Sequence, residues 1–306
     1  MRYFVIGIIV VTALLLLINT LISLAFFELF AGRRFRMRLG PASSEDKTNN
    51  GNNKKQTPED FGYRNVKINS YDGLALNGYV KTHDDNAPFA IVVHGFGSRA
   101  LDMFRHSELF VDKGYNVLVP DLMGHGGSEG NYSGLSVTDS LDIESWVNWL
   151  KENTQMKEYI AMGLSLGGMT VLRYAAEHSD EDLKAVITDS APYALEPIAH
   201  NIYSWKIKYP WVFVRAAIDV LLRIKLGFRF TDTELGSGLK NIKVPVLTIH
   251  GNKDGLIDIK YGQAISDSIV SYHEFHEFES NHTEAIIDDY DKYEAVISGF
   301  LARCSV

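Results

Sequence analysis

The feature that most constrains this chain is a long run near its start that carries no charge. Tyr3 to Phe27 is 25 residues, and its polar members are only Thr12, Asn19, Thr20 and Ser23. About 20 apolar helical residues span the hydrocarbon core of a bilayer. The apolar part of a cleaved signal peptide is shorter, about 7–15 residues, and ends in a small-x-small site that is missing here. The sequence therefore predicts a transmembrane anchor over residues 3–27.

The residues that follow this run predict its orientation and a linker. Four arginines follow the anchor, at 33, 34, 36 and 38, and only Arg2 and the terminal amine precede it. The positive-inside rule then favours the cytoplasm for the C-terminal side of a single-pass protein of the cell membrane. Residues 40–60 contain no large apolar side chain, which predicts a flexible linker. We expect this linker to leave the next domain free to reorient, and a chain cut before Phe61 to be soluble.

The remaining sequence has the composition of a globular protein. Of 306 residues, 46% are hydrophobic and 22% are charged, which excludes disorder throughout. The formal net charge of −8 argues against a nucleic-acid partner, because neutralising phosphates needs clustered lysine and arginine. The single cysteine, Cys304, excludes an internal disulfide framework and a cysteine-based zinc cluster.

Short apolar runs alternate with helical patterns from residue 62 onward. Strands are predicted at 66–70, 74–81, 89–93, 116–119, 159–162, 185–188, 246–249 and 272–278. Helices are predicted at 101–113, 137–151, 167–177, 261–270 and 284–301. The alternation predicts an α/β domain with a mostly parallel central sheet and helices on both faces. In such sheets the functional residues lie at the carboxyl ends of the strands.

Two glycine-containing turns follow predicted strands. Gly163-Leu164-Ser165-Leu166-Gly167 matches G-x-S-x-G between a strand and a helix, the context in which a sharp turn exposes a nucleophilic serine. The alternative is a serine that merely caps the helix. His94-Gly95-Phe96-Gly97 follows the strand 89–93, and such a turn lets a backbone N–H approach a substrate oxygen. The predicted oxyanion donors are the amides of Phe96 and Leu166, and His94 is assigned an orienting role.

Together with His250-Gly251-Asn252-Lys253-Asp254 and Ser280-Asn281-His282, these motifs resemble those of the serine α/β-hydrolase superfamily. The similarity covers about residues 62–303 and is greatest to bacterial membrane-anchored esterase- and lipase-like members, which are related to monoacylglycerol lipases and serine aminopeptidases. It implies the α/β-hydrolase fold and a catalytic triad of Ser165, Asp254 and His282, in the chain order typical of that fold. It also implies that residues 191–240 form a helical cap insertion.

Other carboxylates and histidines compete for these roles. Asp258 lies four residues beyond Asp254, and Asp189 follows an earlier strand where some relatives place the acid. His273 and His276 suggest a metal site, but residues three apart on a strand point to opposite faces. His125 lies in a glycine-rich loop that the family shares, and it is assigned a structural role.

The predicted activity is hydrolysis of small, lipophilic acyl esters through an acyl-enzyme on Ser165. This chemistry requires no cofactor and no metal. A serine peptidase of the same fold and a non-catalytic binding protein remain the alternatives.

The predicted cap has an unusual charge. Between residues 198 and 230 there is one acidic residue, Asp219, and six basic ones: Lys206, Lys208, Arg215, Arg223, Lys225 and Arg229. Arg215, Asp219 and Arg223 are spaced by four and form a narrow polar stripe on an otherwise apolar helix. This pattern fits either a cap whose charges are solvated or a surface that contacts anionic membrane lipid.

Overall fold

An eight-stranded sheet forms the centre of the structure, a computed structural model that describes residues 1–33 and 57–305 and only the backbone of Lys206. The strands are β1 (Arg64–Asn69), β2 (Ala75–Lys81), β3 (Phe89–Val93), β4 (Asn116–Pro120), β5 (Tyr159–Leu164), β6 (Leu183–Asp189), β7 (Val246–Gly251) and β8 (His273–Phe278). Their order is β1-β2-β4-β3-β5-β6-β7-β8. Strand β2 is antiparallel to both neighbours, and the other pairs are parallel. The predicted mostly parallel sheet is confirmed.

Helices cover both faces of this sheet. After α1 (Arg2–Phe30) they are α2 (Phe104–Val111), α3 (Asp139–Asn153), α4 (Leu166–Glu177), α5 (Glu196–Lys206), α6 (Trp211–Leu226), α7 (Lys260–Ser268), α8 (Ala285–Asp288) and α9 (Tyr290–Cys304). Helices α3 and α4 pack in the hydrophobic core of one face, and α2 and α9 in the core of the other. Strands β3, β4, β5 and β7 are buried along their whole length, which explains their mostly apolar sequences.

The segment between β6 and β7 contains α5, α6 and two short 3-10 helices, Phe230–Thr233 and Gly236–Asn241. Helix α6 buries a row spaced by four residues, Val214, Ile218 and Leu222. The guanidinium of Arg173 on α4 donates to the carbonyls of Asp232 and Glu234, at 2.8 and 3.2 Å. The insertion is thereby tied to the helix that follows Ser165.

Helix α1 is the one helix in the described part of the chain that is long and apolar enough to cross a membrane. Residues 1–18, which form its first half, are exposed, as expected for an apolar segment that contacts lipid instead of protein. Its last turns are different, because Phe26, Phe27 and Phe30 are buried in the core of the globular domain.

The contact of α1 with the domain continues beyond the helix. Gly32 forms a β-bridge with Tyr132, and the Arg33 amide donates to the Asn131 carbonyl at 2.8 Å. The Arg33 guanidinium donates to the carbonyls of Ser128 and Gly126, at 2.6 and 3.0 Å. The end of α1 and the residues that follow it therefore contact the domain directly. Most of the predicted linker, 40–60, lies outside the described residues.

Candidate active site

Ser165 lies at the turn between β5 and α4, at the carboxyl edge of the sheet. Its backbone has φ 50° and ψ −117°, a conformation that residues other than glycine rarely adopt. The Ser165 amide donates to the Asp189 carbonyl at 2.8 Å, which ties the turn to β6. A side chain at Gly163 would overlap the backbone of Gly167, and one at Gly167 would overlap the Val93 carbonyl. Both glycines of the motif are therefore required by close backbone approach.

The three predicted catalytic side chains form one hydrogen-bonded row. His282 follows β8, and its Nε2 lies 3.0 Å from the Ser165 hydroxyl. The other ring nitrogen, Nδ1, lies 2.7 Å from Oδ2 of Asp254, which follows β7. Because a carboxylate can only accept, Nδ1 carries the proton and Nε2 is left to accept from the serine. The row has the arrangement needed to move a proton away from Ser165.

Both carboxylate oxygens of Asp254 have hydrogen-bond partners. Its Oδ1 accepts from the amides of Leu256 and Ile257, at 2.9 and 2.8 Å. Its Oδ2 faces His282 and also lies 3.5 Å from Nε2 of His250. Burial by itself raises the pKa of this carboxyl, but the hydrogen bonds from the two histidines and the amides hold the pKa well below its usual range. Asp254 is therefore ionised at neutral pH.

The sequence interpretation missed the role of His250, which it treated only as part of the motif before Asp254. The side chain is buried, and its Nε2–H donates to the Ile257 carbonyl at 2.9 Å. Burial lowers the pKa of this imidazole, but its bonds to Asp254 and the Ile257 carbonyl outweigh that effect and raise the pKa. The signal in the sequence was the four-residue spacing of His250 and Asp254 across one tight loop.

The two predicted oxyanion donors lie next to the serine. A Cβ placed on Gly95 would be 3.3 Å from the Ser165 Cβ, so the turn that carries Phe96 passes directly against the serine. Leu166 is the first residue of α4, where backbone N–H groups have no partner within the helix. The location is suited to both amides, and their catalytic use remains a prediction.

His94 and His125 have positions that suit structural roles. His94 is buried, its Nδ1 donates to the Gly95 carbonyl at 2.7 Å, and its Nε2 accepts from the Leu122 amide at 3.0 Å. These two bonds select the neutral tautomer and orient the turn. The His125 Nδ1 donates to the Met123 carbonyl at 3.0 Å, and the ring packs 4.9 Å from that of His94.

The alternative acids lie elsewhere. Asp258 is on the surface, where its carboxylate is paired with Lys260 at 2.9 Å. Asp189 is fully buried and accepts from the hydroxyls of Ser190 and Tyr293, at 2.9 and 3.0 Å. Burial raises the pKa of Asp189. The carboxylate within hydrogen-bonding distance of the His282 ring is that of Asp254.

The His-x-x-His pair on β8 has separate surroundings. The Nδ1 of His273 donates to the Ser271 carbonyl at 3.0 Å, and Nε2 of His276 lies 2.9 Å from Glu274. Within the residues that the structure describes, no group of three or more His, Cys, Asp or Glu side chains is arranged to hold a metal ion.

Comparison with known proteins bears on the fold of the domain. The family described as alpha/beta hydrolase fold matches residues 91–223. The Bacillus subtilis protein YqkD is 28% identical over 215 residues, which are 69% of this chain and 70% of YqkD.

Two further relatives have assigned names. A thermostable monoacylglycerol lipase of Bacillus sp. is 31% identical over 129 residues, 40% of this chain and about half of the lipase, 49%. The structure of the Pyrococcus furiosus esterase Pf2001 covers 82% of this chain and 94% of its own, with a TM-score of 0.66 and 24% identity. The sheet order, the family match and this structural similarity agree that the chain has the α/β-hydrolase fold.

Proposed function

We propose that the chain is a membrane-anchored serine hydrolase that cleaves carboxylic esters through an acyl-enzyme. The observation that carries this proposal is the hydrogen-bonded row from Asp254 through His282 to Ser165, with the serine on a strained, glycine-flanked turn. A serine that merely capped a helix would not require a histidine and an ionised carboxylate aligned behind its hydroxyl.

The mechanism follows from the positions of the protons. The Ser165 oxygen attacks the acyl carbon while its proton passes to Nε2 of His282. Asp254 holds the Nδ1 proton in place and stabilises the imidazolium that forms. His282 then protonates the leaving alcohol, and the acyl group stays on Ser165. Water, deprotonated by the same nitrogen, attacks the ester of the acyl-enzyme and releases the carboxylic acid.

The developing oxyanion needs donors at a fixed place. The amides of Phe96 and Leu166 are our candidates, because both flank the serine on rigid backbone. Loss of one such donor typically lowers turnover by about 10²–10³. A side-chain substitution leaves a backbone amide in place, so these roles are best tested with a substrate-like phosphonate whose oxygen lies between the two amides.

An ester is favoured over a peptide substrate by the named relatives, which include a lipase and an esterase. A peptidase of this fold would in addition need a site for the substrate amine. Helix α1 supports anchoring, since residues 3–27 carry no charge and the first half of the helix is exposed. We propose that the globular domain lies on the cytoplasmic side, in line with the arginines after the anchor.

The substrate class can be tested on the full chain in detergent. A panel of p-nitrophenyl esters of increasing acyl length is compared with aminoacyl-p-nitroanilides at equal concentration. The proposal predicts that esters are cleaved and that anilides are not, or are cleaved far more slowly. Faster cleavage of the anilides would assign a peptidase, and turnover of neither class would favour a non-catalytic binding protein.

A further inference from the structure

The cap exposes a large apolar surface on the side away from the sheet. Six of its apolar side chains are between 38 and 87% exposed: Ile202, Trp205, Val212, Phe213, Val220 and Ile224. We call this set the exposed cap face. On α6 its members Val212, Val220 and Ile224 share one side, which is distinct from the buried row Val214, Ile218 and Leu222. Exposed apolar side chains that cluster in this way mark a contact surface rather than scattered surface residues.

The exposed cap face is continuous with the apolar surface of α1. The Asn19 amide of α1 donates to the Phe213 carbonyl of α6 at 3.5 Å. The ring of Phe26 packs edge-on against Tyr203 and Trp211, at 5.3 and 6.0 Å between centroids. The two helices therefore lie side by side, and whatever surrounds the exposed part of α1 also reaches the exposed cap face.

The length of α1 indicates what surrounds it. The part before the buried turns, residues 1–22, is about 33 Å long at 1.5 Å per residue. This matches the roughly 30 Å hydrocarbon core of a bilayer. The membrane surface would then lie near Ser23, where α1 starts to be buried in the domain and where α6 packs beside it. An exposed tryptophan such as Trp205 is typical of this depth.

The charges around the exposed cap face fit the same environment. Four basic side chains of the cap, Lys208, Arg223, Lys225 and Arg229, are exposed, as contact with an anionic lipid headgroup requires. The nearby acidic groups are occupied within the protein. Glu196 pairs with Arg215, Asp219 accepts from the Phe230 amide at 2.9 Å, and Glu28 accepts from the Tyr132 hydroxyl at 3.1 Å.

The same contact reaches the candidate active site. Phe30 of α1 stacks on Phe96 at 6.4 Å and packs against Phe230 of the cap at 5.7 Å. Phe96 is 39% exposed and belongs to the turn that passes against Ser165. The last turns of α1 therefore form part of the wall between the proposed membrane surface and the serine.

From these observations we infer that α1 and the exposed cap face form one lipid-contacting surface, and that the substrate is an acyl ester which enters the site from the bilayer beside Phe30. The second part rests on the proposed function. In this proposal lipid covers the exposed cap face. The test below distinguishes lipid from a second copy of the chain bound to the same face.

Lipid contact can be tested without catalysis. The full chain is placed in nanodiscs of phosphatidylcholine and phosphatidylglycerol, with or without bromine on the acyl chains, and tryptophan fluorescence is measured. We expect brominated lipid to quench a component that is absent in Trp205→Phe and present in Trp149→Phe, the control on α3. An unchanged quenched fraction in Trp205→Phe, or discs that contain two copies paired through α6, would overturn the lipid contact.

Entry from the bilayer is tested by comparing two substrates. The double variant Val220→Glu, Ile224→Glu is assayed in the same discs as a control, Val270→Glu, which changes an exposed valine between α7 and β8. We expect the double variant to lose about tenfold on a long-chain monoacylglycerol in the bilayer and to keep its rate on p-nitrophenyl butyrate. Equal rates on both substrates would overturn the inferred entry route. Quenching of Trp205 in a wild-type chain that hydrolyses neither ester would support the lipid contact and overturn the proposed function.

Discussion

The turn around Ser165 and the contact between α1 and the cap lie beside the same site, but they are built differently. At the turn, five consecutive residues fix the geometry, and glycines allow backbone to pack against backbone. At the contact between α1 and the cap, rings from separate segments form an aromatic cluster: Phe26, Phe30, Phe96, Tyr203, Trp211 and Phe230. The difference predicts that loss of the Ser165 hydroxyl removes chemistry and spares stability, whereas loss of rings from the cluster reduces stability.

The largest loss of turnover is expected when Ser165 is replaced. Ser165→Ala should lower ester turnover by about 10⁴–10⁶, because the nucleophile is lost while the histidine and carboxylate remain. Alanine fits the turn as serine does, so the urea unfolding midpoint should be unchanged. Initial rates with p-nitrophenyl butyrate and an unfolding curve test both statements. Substantial turnover in the folded variant would refute the assignment of Ser165.

The second largest loss of turnover is expected when the triad carboxylate, Asp254, is replaced. Asp254→Asn should lower turnover by about 10⁴, since an amide in that place favours the wrong tautomer of the histidine. Asp258→Asn is the matched control and should retain most activity, because Asp258 is paired with Lys260 on the surface. Asp189→Asn should also retain most activity. If either of these two variants were the inactive one, the acid would be misassigned.

Truncation distinguishes the two halves of α1. Deletion of residues 2–60 removes Phe26, Phe27 and Phe30 from the core, and should lower the free energy of unfolding by on the order of 5 kcal/mol. Deletion of residues 2–18 removes only exposed residues and should leave it unchanged. Urea unfolding of both chains in one mild detergent measures the difference. Equal stability of the two truncated chains would show that the contact of α1 with the domain contributes nothing.

The smallest effect is expected at His250. Because the His250 ring lies 3.5 Å from the same Asp254 oxygen that faces His282, His250→Gln should lower turnover by about tenfold, the equivalent of one net hydrogen bond. Turnover equal to that of the wild type would mean that His250 does not position the acid.

The same variant has a predicted pH dependence. The pKa of Asp254 is lowered, so its contribution to stability is present above its ordinary pKa of 3.8 and is lost as the pH falls through the lowered value. The pKa of His250 is raised, so its contribution is present below 6.5 and is lost as the pH rises through the raised value. The stability difference between wild type and His250→Gln should therefore be largest between about pH 4 and 6.5. A difference that keeps growing above that window would contradict the pairing.

The sequence predicted the regions whose structure is local. The central strands of the sheet are short, mostly apolar runs between turn residues, and Ser165, Asp254 and His282 each follow a predicted strand. Parallel strands bring their carboxyl ends to one edge, so the three side chains could be expected to meet there.

Contacts between distant segments could not be predicted in the same way. The exposed and the buried parts of α1 are both strongly apolar, so hydropathy gave no sign that Phe26 and Phe30 pack on the cap. The polar stripe of α6 was also ambiguous. Arg215 and Asp219 turned out to bond within the insertion, to Glu196 and to the Phe230 amide, which a spacing of four cannot reveal.

The central claim is that Ser165 is an activated nucleophile, and covalent labelling tests it most directly. The full chain is treated with a fluorophosphonate at neutral pH, and its intact mass and peptide masses are measured. The account predicts one added phosphonyl group, located on Ser165, with no labelling of Ser165→Ala and strongly slowed labelling of Asp254→Asn. An unlabelled wild type, or equal labelling of wild type and Ser165→Ala, would contradict it.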